Sequence, residues 1–135
     1  MKKFLYILSF LLFTGSVVMA QENNNDDDRI RDKMREFIQK RMNLSKREAT
    51  DFTPVFIRYF REWRQTLREN KDDALRRTQR IAELRIRYRT EFRGIVGEKR
   101  ANEIYRQQDI FINEVNKIRQ EQIRNRLDTR KNNRF

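Results

Sequence analysis

Apolar residues recur along this chain in two patterns, and each predicts a different kind of segment. From Phe4 to Phe13 they are almost continuous (Phe4-Leu5-Tyr6-Ile7-Leu8-Ser9-Phe10-Leu11-Leu12-Phe13), behind a positive head of Lys2 and Lys3 and ahead of Val18-Met19-Ala20. From about Arg29 onward they return every three or four positions, the period of a helix that buries one face. Between the two patterns lies Gln21 to Asp28, which holds no apolar residue.

The periodic region divides into about four helices. Ile30, Met34, Phe37, Ile38 and Met42 predict the first, from about Arg29 to Met42, with Glu36 and Lys40 placed as an i,i+4 pair. Asp26-Asp27-Asp28 suits the approach to its N-terminus, which favours negative charge. Asn43-Leu44 ends it, and Ser45-Lys46-Arg47-Glu48 has the pattern of a capping box that opens the second helix. There the stripe is Ala49, Phe52, Phe56, Tyr59, Phe60, Trp63 and Leu67. Pro54 lies inside this run and disfavours helical geometry at Thr53, so a bend is expected there.

Glu69 to Asp73 marks the next turn, and the third helix is expected to reach about Arg93. Its main stripe is Ala74, Ile81, Tyr88 and Phe92, with Leu84 at the edge, while Leu75, Ala82 and Ile86 form a second seam. A helix apolar on two sides touches two partners, and a second subunit is expected as one of them. Gly94-Ile95-Val96-Gly97 reads as a C-cap and tight reversal. The fourth helix, from about Glu98 to Leu127, carries Ala101, Ile104, Tyr105, Gln108, Phe111, Ile112, Val115, Ile118, Gln122 and Ile123 in steps of four and three, as in a coiled-coil seam. The fold class is therefore all-α: long, thin antiparallel helical hairpins, dimeric, with no β-sheet.

These patterns set the domain boundaries. Residues 1–20 have the layout of a cleaved secretory signal peptide, and their apolar core falls short of the roughly 20 residues of a bilayer span. No cysteine follows to carry a lipid anchor. The mature chain is then expected to start at Gln21 in the periplasm, the alternative being an uncleaved segment that tethers it. Residues 21–28 read as a disordered linker, 29–127 as one helical domain and 128–135 as a basic flexible tail.

Composition narrows the chemistry. The chain has neither Cys nor His, so it can build no disulfide, no Cys–His or Ser–His pair and no His- or Cys-ligated metal site. Carboxylates such as Glu62 and Asp73 remain, but nothing groups them, and the expectation is a non-enzyme without cofactor. Net charge is +12, and two of those charges are Lys2 and Lys3, which leaves +10 on the mature chain. Arginines interleave with aromatics in Arg58-Tyr59-Phe60-Arg61-Glu62-Trp63-Arg64 and in Arg85-Ile86-Arg87-Tyr88-Arg89. Part of that charge is expected to be paired internally, as Glu83 with Arg87. Nucleic acid is the usual partner of such a chain, but export removes it. Acidic or unfolded client proteins and anionic membrane surfaces remain. The candidate partner-binding surface is Ile57, Arg58, Arg61, Ile86, Arg87 and Ile110.

A family resemblance rests on a few of these residues. Leu44-Ser45-Lys46-Arg47-Glu48-Ala49 is similar to the Leu-Thr-x-x-Gln motif of the Spy/CpxP family of exported helical proteins, with Ser for Thr and Glu for Gln. Phe52-Thr53-Pro54-Val55-Phe56, followed by Tyr59, resembles the phenylalanine-x-proline-valine-tyrosine segment of its small members. Val96, Lys99, Ala101, Ile104, Tyr105 and Phe111 fall where those relatives carry a turn, a lysine and the start of a long last helix, so the resemblance covers most of residues 30–126. It marks Leu44, Ser45, Glu48, Phe52, Pro54, Phe56 and Tyr59 as family positions. It implies an all-helical periplasmic protein, often a thin antiparallel dimer, that holds unfolded or envelope proteins without ATP. The alternative it implies is a sensor or regulatory module for an extracytoplasmic sigma factor or other envelope stress system, acting on a membrane-bound signalling protein.

Overall fold

A computed structural model describes residues 25–133; the expected signal peptide (1–20), residues 21–24 of the expected linker and the last two residues lie outside the described residues. Nearly all the described residues are helical and none is in a strand. The helices are α1 (25–41), α2 (Lys46–Glu69), α3 (Ala74–Val96) and α4 (Glu98–Asn132). Two compact units are distinguished, residues 1–33 and 34–135, and the interhelical packing below is that of the second. In the first, Arg31 pairs with Asp28 at 2.8 Å and with Asp32 at 3.1 Å.

The helix ends follow local rules. Asn43 takes a left-handed conformation (φ 51°) after α1, and the Leu44 N–H closes back on the Gln39 carbonyl at 3.0 Å, a Schellman-type stop. Ser45 then caps α2 with the expected reciprocal box: its hydroxyl accepts from the Glu48 N–H and the Glu48 carboxylate accepts from the Ser45 N–H, each at 3.1 Å. Asp73 caps α3 through the Arg76 N–H at 2.9 Å. Gly97 alone makes the reversal into α4, with φ 85° and ψ 164°, a region that side chains with a Cβ essentially avoid.

Tyr59 of α2 lies at the centre of the core. Its ring meets Tyr88 (5.5 Å) and Phe92 (5.9 Å) of α3 and Tyr105 of α4 (5.6 Å). Phe52, Val55, Phe56, Phe60 and Trp63 are buried on the same face of α2, with Leu84 and Val96 from α3, Ala101 and Ile104 from α4, and Met34 and Ile38 from α1. Phe37 of α1 meets Phe111 of α4 at 5.4 Å. Each fully buried large side chain contributes about 1.5–3 kcal/mol, so this aromatic cluster is the main source of cohesion.

The structure revises several boundaries. Residues 25–28, expected in the linker, are helical, and α4 continues through the expected tail to Asn132. α3 runs through Gly94 to Val96. The stripe on α3 is Leu84, Tyr88, Phe92 and Val96, whereas Ala74 is exposed and Ile81 only half-buried. Ala74 opens α3 directly after the turn from Glu69 and is left in water there. The expected seam on α4 is buried as far as Gln108, half-buried at Phe111, Ile112 and Val115, and exposed from Asn116 onward.

Candidate functional site

The family-like positions turn out to build the core and one corner of the fold. Phe52, Phe56 and Tyr59 are fully buried, Leu44 is half-buried in the turn, and Pro54 is exposed. Glu48 does more than cap α2. Its second oxygen accepts from Arg100 of α4 at 2.8 Å, and Arg100 also donates to the Met42 carbonyl at 3.0 Å. The Ser45 backbone N–H and Arg100 hold the Glu48 carboxyl below its ordinary value.

Next to the core lies a polar cluster centred on Arg85. Its guanidinium donates to Asp109 at 2.6 Å, to the Gln108 carbonyl oxygen at 3.0 Å and more weakly to the Tyr59 hydroxyl at 3.4 Å. It also lies 5.1 Å from the centre of the Tyr105 ring, whose hydroxyl donates to the Arg85 carbonyl at 2.7 Å. Tyr59 donates to the Gln108 carbonyl oxygen at 2.5 Å. Burial works against the Arg85 charge, but the bonds to Asp109 and Tyr59 outweigh it and the guanidinium stays protonated. Burial pushes the Tyr59 and Tyr105 hydroxyls up. The Gln108 amide nitrogen is buried and has no partner among the described residues. Two tyrosines and a glutamine in otherwise apolar stripes were the available signal for this cluster; buried hydroxyls and amides require partners, and Arg85 and Asp109 supply them.

The expected partner surface is brought together only in part. Arg58 bonds Glu91 across the α2–α3 seam at 2.6 Å, and Arg87 bonds Glu62 at 3.1 Å. These two arginines are thus neighbours in one crossed ladder and are largely neutralised there. Glu83, expected to pair with Arg87, instead pairs with Arg80 at 3.1 Å, because Glu62 of the facing helix is closer to Arg87. The Tyr88 hydroxyl donates to Glu62 at 2.6 Å. That bond and the Arg87 contact lower the Glu62 carboxyl, while burial and the Glu62 bond push Tyr88 up to about 12. Glu62 and Asp73, the named carboxylates, therefore bind within the fold, one in the ladder and one as a cap.

Arg61 is exposed, Ile57 of α2 and Ile110 of α4 are half-buried, and Ile86 of α3 is exposed. The second seam of α3 is exposed: Leu75 at 86% and Ile86 at 58%, with Ala82 between them. Arg89 and Arg93 continue that stripe, and neither makes an ion pair among the described residues. Sequence periodicity had located this seam but had not joined the arginines to it.

The fold and surface define a small all-helical protein with an aromatic core, a polar cluster beside it and an outer face mixing arginine with exposed aliphatic residues. No family model, curated protein or solved structure matches this chain. No described helix is long and apolar enough to cross a membrane.

Proposed function

We propose that this chain is an exported, periplasmic, Spy/CpxP-like stress protein that binds unfolded or envelope proteins without ATP. The observation that carries the reading is the outer face of α3, where Leu75, Ala82 and Ile86 are exposed in line with Arg89 and Arg93. Two large apolar side chains left in water on a rigid helix favour an apolar partner, and arginines beside them attract an acidic one before contact. The signal-like residues 1–20, the missing catalytic residue types and the motif resemblance support the same reading.

Suppression of client aggregation tests it. Stoichiometric amounts of the chain from Gln21 should lower the light scattering of reduced α-lactalbumin at low salt, and Leu75→Ser/Ile86→Ser should remove most of that effect. Scattering unchanged by the unmodified protein refutes the reading. Retrieval of one stoichiometric membrane-bound partner in a pull-down, in place of many weak clients, favours the regulatory alternative. A second copy of the chain could cover the same seam. Light scattering at tens of micromolar separates the two, since a Leu75- and Ile86-dependent dimer would compete with clients.

A further inference from the structure

The distal part of α4 is a continuous helix whose side chains are exposed throughout. Every residue from Asn116 to Asn132 is exposed, including Ile118, Ile123 and Leu127, which are 51–55% exposed. This stretch carries six cations (Lys117, Arg119, Arg124, Arg126, Arg130 and Lys131) against two acids (Glu121 and Asp128), a net +4, and none of the eight makes an ion pair among the described residues.

Their placement around the helix is one-sided. At about 100° of turn per residue, all six cations fall within one half of the circumference, flanking Ile123 and Leu127 on both sides. Both acids, Ile118 and otherwise only uncharged polar residues occupy the other half. From Lys117 to Lys131 the basic face extends about 21 Å at about 1.5 Å per residue.

We infer that this face docks the protein on a membrane surface bearing anionic headgroups, α4 lying along it with Ile123 and Leu127 inserted shallowly. The charge is complementary to such a surface, and both acids lie on the half turned away from it. Cations flanking a narrow apolar line can bury their stems while their heads stay among phosphates. A second copy does not fit as the occupant: it would bring the same positive face, and two large side chains one turn apart make too short a seam for a helix pair. This inference is independent of client binding, which uses α3.

Flotation with vesicles tests it, using the chain from Gln21, whose described core lies wholly within residues 34–133. Equimolar phosphatidylcholine–phosphatidylglycerol vesicles should carry the protein at low salt, pure phosphatidylcholine vesicles should not, and added salt should release it. Arg119→Glu/Arg126→Glu/Arg130→Glu should weaken partitioning by more than about a hundredfold, since loss of the three cations alone gives about fivefold each and the new carboxylates are repelled. Lys40→Glu/Arg47→Glu/Lys99→Glu, the same charge change on exposed positions elsewhere, should leave most binding intact. As a readout independent of charge, the Leu127→Trp variant should shift its tryptophan emission to the blue only on the anionic vesicles. The inference is overturned if no vesicle binds, if both triple variants weaken binding equally, or if the emission of the Leu127→Trp variant does not move. It is equally overturned if the α4 reversals abolish binding to acidic α-casein and leave vesicle binding untouched, which would make an acidic protein the occupant.

Discussion

Gln108 is fully buried in α4, and its two polar atoms differ in circumstance. The carbonyl oxygen accepts from Tyr59 at 2.5 Å and from Arg85 at 3.0 Å, whereas the amide nitrogen has no partner among the described residues. Tyr59→Phe removes a buried hydrogen bond but leaves the Gln108 oxygen to Arg85, so a loss of about 1 kcal/mol is expected. Gln108→Met keeps the volume and removes the orphan amide, but it strands the buried Tyr59 hydroxyl without an acceptor. That costs about 1–3 kcal/mol, less whatever is regained by removing the unpaired N–H. In the double variant both polar groups are gone and Arg85 keeps Asp109 at 2.6 Å. The pair should then stand within about 1 kcal/mol of the unmodified protein, because replacing both partners by apolar groups can be nearly neutral. Urea unfolding followed by the fluorescence of Trp63, the single and buried tryptophan, gives the three differences. Additive losses, with the double variant as unstable as the sum of the singles, would refute the claim that these two side chains satisfy each other.

The titrations make a second prediction at both ends of the pH scale. Tyr59, Tyr88 and Tyr105 are raised above 10.0, so the stability they add is present below pH 10 and is lost as pH rises toward about 12; absorbance at 295 nm should show them ionising together with unfolding. Glu48 and Glu62 are lowered, so their contribution is present above the ordinary value of 4.5 and is lost as pH falls through their depressed values, which an acid circular-dichroism series reads. Pro54 is exposed inside a continuous helix, so Pro54→Ala should raise stability by about 1–3 kcal/mol in urea unfolding; a loss would mean that packing requires the proline geometry. Gly97→Ala should cost about 1–3 kcal/mol in the same measurement, since space around Gly97 is open and only its φ of 85° opposes a side chain.

Much of the fold was legible because apolar spacing specifies which residues share a face. The stripe on α2, the capping box at Ser45, the reversal at Gly97 and the start of α4 all follow from local pattern. Errors arose where a face exists but its partner does not. Ala74 and Ile81 lie on the correct side of α3, yet Ala74 sits at the hairpin turn and stays exposed, and Ile81 is only half-buried. Gln122 and Ile123 continue the α4 seam where every side chain is exposed. Glu83 was assigned to Arg87 by i,i+4 spacing, but a carboxylate on the neighbouring helix lay closer, and tertiary distance is not written in a local pattern.

The same limit explains what became of the basic residues. Arginines at similar spacing have four fates: Arg85 is bound into the polar cluster beside the core, Arg100 ties α4 to the first turn of α2, and Arg58 and Arg87 are neutralised across a seam. Arg119, Arg126 and Arg130 face water without a counter-charge among the described residues. Composition counts all of these as one surplus. Only the first two fates are expected to matter greatly for stability, because exposed pairs such as Arg58–Glu91 contribute about 0.2–1 kcal/mol. The last group makes no ion pair among the described residues, and apart from the favourable place of Arg130 in the last turn of α4 its like charges repel one another. An exposed helix with its cations confined to one side incurs that repulsion for little folding gain, so the placement is better accounted for by what the helix meets outside the chain than by the chain itself.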